Sequence, residues 1–537
     1  MEIRMEEKAV TQPRTRASAP RVRTGCKTCK IRRVKCDEGK PSCNRCIKFG
    51  ATCDGYGAKK PNVLSPAATR ILVPRATFPF VVSPSQNLFD LDNPEEWTYF
   101  QRFCSYTVQR LSGLRGFEFW SRVVLQATQV EPSIRHAATA IGALDLNVLT
   151  STRDEEAIKF RRQFAYKEYQ KAIVGIRKTL SEKDCDIKTR LIACILFACF
   201  EAYHGNSKTA LGQIFSGIEM MEEHNKKRKE KDSTSNAPRL APVDPELVQV
   251  FTLLEIQATA WGDSRPGKLH LERMYNCAEA VENGMPVEFS GTKHAVVILR
   301  LNIMWGIHLR FAQMNLAGHE GKIVPSFIGL APCANDPAAH QLNRCLASFK
   351  AWGAAFEPLY RKARSAAGER IFESATQLRM NYLGGVVWVA SGSRSIGMYY
   401  RRYTKELKEI VALSKVLLDM SDSQTFSLEM RFVLPLAVVG LNYRHRALRQ
   451  ECIRTLTAMS RREAIWDASM MGRIMKFQAE IEEEGLGDDE EYVPEDGMST
   501  IVHLKVDEPL RTMFITCSLG IRGHPGESVM KRTELIW

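Results

Sequence analysis

Residues 26–56 read CKTCKIRRVKCDEGKPSCNRCIKFGATCDGY, and the cysteine spacing in this stretch decides what the chain is built around. Cys26, Cys29, Cys36, Cys43, Cys46 and Cys53 fall within 28 residues of a 537-residue chain that holds 15 cysteines in all. They spell C-x2-C-x6-C twice, with a 17-residue offset. The other nine cysteines are scattered and form no C-x2-C pair. Six thiolates can hold metal in two ways. One zinc takes four and leaves two spare, whereas two zincs need eight bonds and so two bridging thiolates. The repeat favours two ions, because each half supplies three ligands and lends one. Closed four-coordinate thiolate sites are structural and leave no open position for water. No His precedes His136, which argues against a mixed Cys/His site. The rival readings are three disulfides and an iron–sulfur cluster using four of the six. A segment this short buries little core, so metal would supply its folding energy.

Charge is concentrated around the same stretch. The net charge is +14. Residues 1–60 hold 16 Lys and Arg against 6 Asp and Glu, net +10, which leaves +4 for the other 477. Six thiolates and two zincs add −2, so the effective charge of this end is about +8. That exceeds what neutralising the cluster requires and points to a polyanion. Between Cys29 and Cys36 the chain reads Lys-Ile-Arg-Arg-Val-Lys. As a short helix it would turn Ile31 and Val34, three residues apart, toward the cluster and its cations outward. Arg on a helix in the major groove reads guanine through O6 and N7.

This stretch resembles the fungal binuclear zinc-cluster (six-cysteine) transcription factors. The resemblance covers residues 24–56 tightly, including Lys30, Arg32, Arg33, Lys35, Cys36-Asp37 and Lys40-Pro41. It implies two zinc ions per chain, bridged by Cys26 and Cys43. Cys29 and Cys36 would complete one site, Cys46 and Cys53 the other. It further implies readout of a CGG-type triplet in double-stranded DNA. Arg32 and Arg33 take the base-contacting positions of the family pattern. Lys27, Lys30, Lys35, Arg45 and Lys48 fall to the phosphates, which fix register without reading sequence. Lys30 stands where the family often has Arg.

Outward from the cluster, residues 1–23 read as a flexible basic arm carrying Arg14, Arg16, Arg21 and Arg23. Residues 57–92 read as a proline-rich linker, with Pro61, Pro66, Pro74, Pro79 and Pro84. No proline-free stretch there is long enough for the three heptads of a coiled coil. That leaves binding as a monomer, or a homodimer through the large domain, with loose half-site spacing in either case.

From residue 93 the patterning is helical. Asn93-Pro94-Glu95-Glu96 is a helix start. Glu131-Pro132-Ser133 is another, followed by the apolar face Ile134, Ala137, Ala138, Ile141 and Leu144. Thr152-x-x-Glu155 fits a capping box. Tyr169, Ile173, Ile176 and Leu180 continue a stripe, and Leu191–Phe200 is apolar all round, as in a central helix. With few alternating β runs, the fold class is mainly α: a small binuclear zinc-cluster domain with two short helices, 24–56, and a large all-α regulatory domain, 93–537. WTYFQRFCSYTVQRLSG and LIACILFACFEAYHGN resemble the helical regulatory domain of the same family. Lys226–Lys231 and the residues after it read as a surface loop, with KKRK a nuclear-import signal or a solvated tract. Ten acids between 480 and 496 read as a solvated loop, with an acidic activation segment as the alternative.

The longest apolar runs, Leu191–Phe200 and Phe432–Leu441, are half of a membrane span. The N-terminus lacks the apolar core of a signal peptide. An intracellular, nuclear chain without a membrane partner is expected. The HExxH, GxxxxGK[ST], GxSxG and GxGxxG patterns are absent and the 11 His are dispersed, so an enzyme is not expected. The expected function is a sequence-specific regulator of RNA polymerase II genes, with double-stranded DNA and the transcription machinery as partners. The alternative is a zinc-dependent nuclear adaptor binding protein or RNA.

Overall fold

In a computed structural model, the described residues are 25–56, 93–113, 118–149, 154–181, 186–232, 241–316, 339–391, 400–420, 426–507 and 510–537. The basic arm, the linker prolines from Pro61 to Pro84 and Thr152 lie outside them. The chain separates into two compact units, residues 1–88 and 89–537.

The small unit has two short helices, α1 (Lys27–Ile31) and α2 (Asn44–Ile47), each entered from the first cysteine of a repeat. Its interior is four thiols, Cys26, Cys29, Cys43 and Cys46, with Cys36, Cys53 and Tyr56 against them.

The large unit is a helical body around one contiguous apolar core. Its helices begin where the sequence places caps. In α3 (Pro94–Arg102) the Asn93 side chain accepts from the Glu96 amide at 2.7 Å. After the short helices α4 (Val108–Ser112) and α5 (Leu125–Val130), α6 (Pro132–Leu149) buries the face Ile134, Ala137, Ala138, Ile141 and Leu144. It packs against α3, α7 (Glu155–Ser181) and α8 (Ile187–His204). At the start of α7 the Asp154 carboxylate accepts from the Ala157 amide at 3.1 Å. The α7 stripe ends early, since Leu180 is exposed. Helix α8 is the central helix expected, buried without a break from Leu191 to Ala202 and ended by Gly205 in the left-handed region, φ +91°. Among the described residues one helical stretch, Thr292–Gln313, is long and apolar enough to cross a bilayer, but its apolar window is mostly buried in the body, as in a core helix.

Two expectations fail along this body. Lys226–Lys231 is not a loop, because the helix Ser207–Asp232 runs through it. Lys227 pairs with Glu223 at 2.6 Å one turn earlier, and such i,i+4 pairs let a charged tract continue a helix. The acid-rich stretch is not solvated loop throughout either. Glu480, Glu482 and Glu483 end the helix Ala468–Glu483, and Glu482 is fully buried.

The mainly-α class holds, but the helices stop before the C-terminus. Strands β4 (Ser499–Asp507), β5 (Thr512–Gly520) and β6 (Ser528–Ile536) form an antiparallel meander; two-residue strands β1 (Phe426–Ser427), β2 (Arg462–Glu463) and β3 (Trp466–Asp467) precede it. Ile501, Met513, Ile515 and Cys517 bury one face of the meander. Its alternation is visible in β5, but the facing strands are polar enough to hide it. Glu482 ties the sheet to the helices. Its carboxylate takes Arg444 at 3.0 Å, Arg449 at 2.6 Å and the Ser499 amide at 2.7 Å.

Candidate metal centre and nucleic-acid interface

The 17-residue repeat folds as two similar halves. Cys26 precedes α1, and its sulfur accepts from the Cys29 amide at 3.3 Å; Cys43 stands in the same place before α2. Both halves leave the helix through a left-handed residue, Arg33 (φ +56°) and Gly50 (φ +71°), and turn again at Glu38 (φ +60°) and Gly55 (φ +67°). Each pair is 17 positions apart. The halves brace each other through equivalent aspartates. Asp37 accepts from the Asn44 and Arg45 amides at 2.8 and 2.9 Å, at the positive end of α2. Asp54 accepts from the Thr28 hydroxyl at 2.9 Å, and its own amide donates back to that oxygen at 2.9 Å.

This bracing gathers the thiols. Cys26 Sγ lies 3.6 Å from Cys43 and 3.8 Å from Cys46; Cys29 Sγ lies 3.7 Å from Cys43 and 3.8 Å from Cys46. Sulfurs on one tetrahedral zinc stand about 3.8 Å apart, given Zn–S near 2.3 Å, so the donor set fits zinc. Cys36 comes within 4.8 Å of Cys43. Cys53 hydrogen-bonds to the Cys26 and Cys43 side chains, and Cys36 to that of Cys43. One detail differs from the implied pairing. Cys29 and Cys46 belong to different ions there, and here their sulfurs lie 3.8 Å apart in the same group of thiols.

Without a cation the thiols differ in how readily they ionise. For Cys26 the Cys29 amide lowers the thiol, but burial and neighbouring thiols outweigh it and push it up to about 12. Burial raises Cys43 further. At Cys36 burial pulls upward, but the Cys26 and Glu38 amides and the Tyr56 hydroxyl win and bring the thiol to about 6. Buried thiols that resist ionising alone are ones a cation stabilises as thiolates.

Around this interior, Lys27, Lys30, Arg33, Lys35, Arg45 and Lys48 are exposed. None of the six is ion-paired within the described residues. Arg32 differs. It is half-buried at the end of α1, with its guanidinium 3.3 Å from the centroid of the Phe49 ring. Ile31 and Val34 do not face the cluster as expected; they are 78% and 39% exposed. The helix stops at Ile31, so Val34 does not share a helical face with it. Sequence reasoning also missed the roles of Asp37, Asp54 and Phe49. The 17-residue offset, which pairs Asp37 with Asp54 and Arg32 with Phe49, was the available signal.

In the body, His308 is a core residue, as expected, whereas His136 is half-buried beside Glu168. His136 Nδ1 meets Glu168 at 2.7 Å, and His308 is fully buried beside His270 at 3.0 Å.

Residues 24–62 match the fungal Zn(2)-Cys(6) binuclear cluster domain, and residues 98–241 match the fungal specific transcription factor domain. The chain is 29% identical over 287 residues to the aspercryptin biosynthesis cluster-specific transcription regulator atnN of Emericella nidulans, covering 50% of this chain and 43% of that protein. It is 28% identical over 267 residues to the transcription regulator lscL of Purpureocillium lilacinum, covering 44% and 60%. The pestheic acid cluster transcriptional regulator 3 of Pestalotiopsis fici matches over 39 residues at 56% identity, 7% of each chain. The matches thus span about half the length of the first two relatives. No solved structure matches. With a six-cysteine centre fit for two zinc ions and a second matching domain after it in sequence, the chain carries a fungal Zn(2)-Cys(6) binuclear cluster domain and a fungal specific transcription factor domain, and these relatives are transcription regulators.

Proposed function

We propose that this chain is a sequence-specific regulator of RNA polymerase II genes that reads a CGG-type triplet in the major groove. The observation that carries the reading is the set of six exposed cations, none ion-paired among the described residues, on the unit that holds the buried thiol centre. Bound zinc supplies folding energy and fixes the thiolates, with no chemistry beyond that. Cys26 and Cys43, which touch thiols on both sides, bridge the two ions. Cys29 with Cys36 and Cys46 with Cys53 complete the two shells. Arg33, exposed on a left-handed turn, and Arg32, held on Phe49, present guanidinium groups to guanine edges. Lys27, Lys30, Lys35, Arg45 and Lys48 hold phosphates and set register. The site of action is the nucleus, and the transcription machinery is the downstream partner. Each relative's name speaks of transcription regulation, which supports this reading over catalysis.

The alternative adaptor reading is weaker. Single-stranded RNA is bound through stacking platforms. Among the described residues of the small unit the exposed aromatic is Phe49, and Arg32 lies over its ring. A titration of the full zinc-loaded chain against a CGG duplex, a scrambled duplex and single-stranded RNA tests the choice. Preference for the CGG duplex is expected; equal binding to all three would remove sequence-specific readout.

A further inference from the structure

Strand β6 forms one edge of the C-terminal meander, whose order is β4-β5-β6. It is nine residues long, and Ser528, Val529, Met530, Arg532, Glu534 and Ile536 are exposed. Beyond β5, no described segment hydrogen-bonds to its backbone. Only the Thr533 hydroxyl turns onto the neighbouring Glu534 carbonyl, at 3.3 Å. An edge of this length is a template for another strand. Proteins commonly blunt such edges with charge, and Lys531 and Arg532 could serve that purpose here. The positions of the charges argue otherwise.

The register with β5 fixes the two faces. Lys531, Thr533 and Leu535 lie opposite the buried Cys517, Ile515 and Met513. Met530, Arg532, Glu534 and Ile536 lie on the outer face, opposite Ser518, Thr516, Phe514 and Thr512. Antiparallel pairing of two β6 strands about a two-fold axis keeps each face continuous only when even positions meet even positions. An axis at Arg532 sets Arg against Arg. An axis at Glu534 sets Glu against Glu and Arg532 against Ile536. An axis at Thr533 sets Arg532 opposite Glu534 of the second copy and Met530 opposite Ile536 of the second copy. Each of these pairs occurs twice by symmetry. That register joins the half-exposed apolar side chains, Met530 at 55% and Ile536 at 66%, and neutralises both charges on the outer face.

We propose that β6 is a self-complementary dimerisation edge, pairing with β6 of a second copy about Thr533 into one six-stranded sheet. One strand pair is a small interface, so the dimer is weak and concentration-dependent.

The test is sedimentation of the full zinc-loaded chain over a wide concentration range, with Arg532→Glu and Glu534→Arg singly, mixed and combined. Both positions are exposed, and an unchanged melting transition confirms folding. The native chain should show a monomer–dimer equilibrium. Each single reversal should weaken self-association by roughly ten- to a hundred-fold, since both cross-strand pairs become like-charged. An equimolar mixture of the two single variants should associate again, because both pairs are once more opposite in charge. The combined variant should likewise regain self-association. A native chain that stays monomeric throughout overturns the proposal. So do a dimer indifferent to either reversal and single variants that fail to associate when mixed.

Discussion

The Arg32 guanidinium lies 3.3 Å from the centroid of the Phe49 ring, joining the end of α1 to the segment after α2. The two residues occupy the same position in successive repeats, 17 apart. The contact limits the positions Arg32 can sample before DNA arrives. Phe49→Ala should therefore weaken binding to the cognate duplex by about 0.5–1 kcal/mol, the scale of an exposed cation–π contact. Phe49→Tyr should retain it. Fluorescence titration of both variants, with zinc content as the control for folding, checks this.

Arg33 and Lys35 should fail in different ways. Arg33→Ala should cost about 1–3 kcal/mol and relax preference at one base position. Lys35→Ala should weaken all sequences alike and lower the slope of log K against log salt by about 1. Titrations at several salt concentrations, on cognate and scrambled duplexes, separate the two.

Zinc should hold the small unit only. A strong chelator should remove two zinc ions per chain, abolish DNA binding and leave the main melting transition of the helical body in place. The interior of the small unit is four thiols with Cys36, Cys53 and Tyr56 against them, so nothing apolar remains to hold α1 and α2 once the thiolates protonate or scatter. Metal analysis and calorimetry before and after chelation read both effects. A main transition that vanishes with the metal would contradict this division.

Glu482 should make the body acid-sensitive. Burial pulls its carboxyl upward, but Arg444 and Arg449 outweigh burial and hold it below the ordinary glutamate range. Burial also pulls the Arg444 guanidinium down, yet arginine keeps its charge at these pH values, so the carboxylate carries the titration. A depressed carboxyl contributes stability that is fully present above its unfolded value, about 4.3, and is lost as pH falls through the folded value. Glu482→Gln should cost roughly 3–5 kcal/mol at neutral pH, because Arg444 and Arg449 lose their buried partner. The gap to the native chain should narrow below pH about 4. Denaturant melts at pH 7 and pH 3.5 measure it.

The cysteine centre was legible because metal ligation imposes spacing on sequence, and C-x2-C-x6-C written twice has few other causes. The helical body was legible where caps and apolar periodicity coincide, as at Asn93-Pro94 and in α8. The failures have several causes. Lys226–Lys231 looks like a loop until Glu223 pairs with Lys227 one turn away. Glu482 looks solvated until Arg444 and Arg449 meet it from distant positions. Ile31 and Val34 look like core residues of a helix that in fact ends at Ile31. The meander was hidden because β6 buries no residue fully and so carries no clean alternation.

The most direct test of the central claim is selection from a randomised duplex pool by the full zinc-loaded chain, run beside Arg33→Ala. The account expects CGG-type triplets to be enriched by the native chain, and that enrichment to fall with Arg33→Ala while general DNA affinity persists. A native chain that enriches no sequence, or an Arg33→Ala chain that enriches the same triplet equally well, would contradict it.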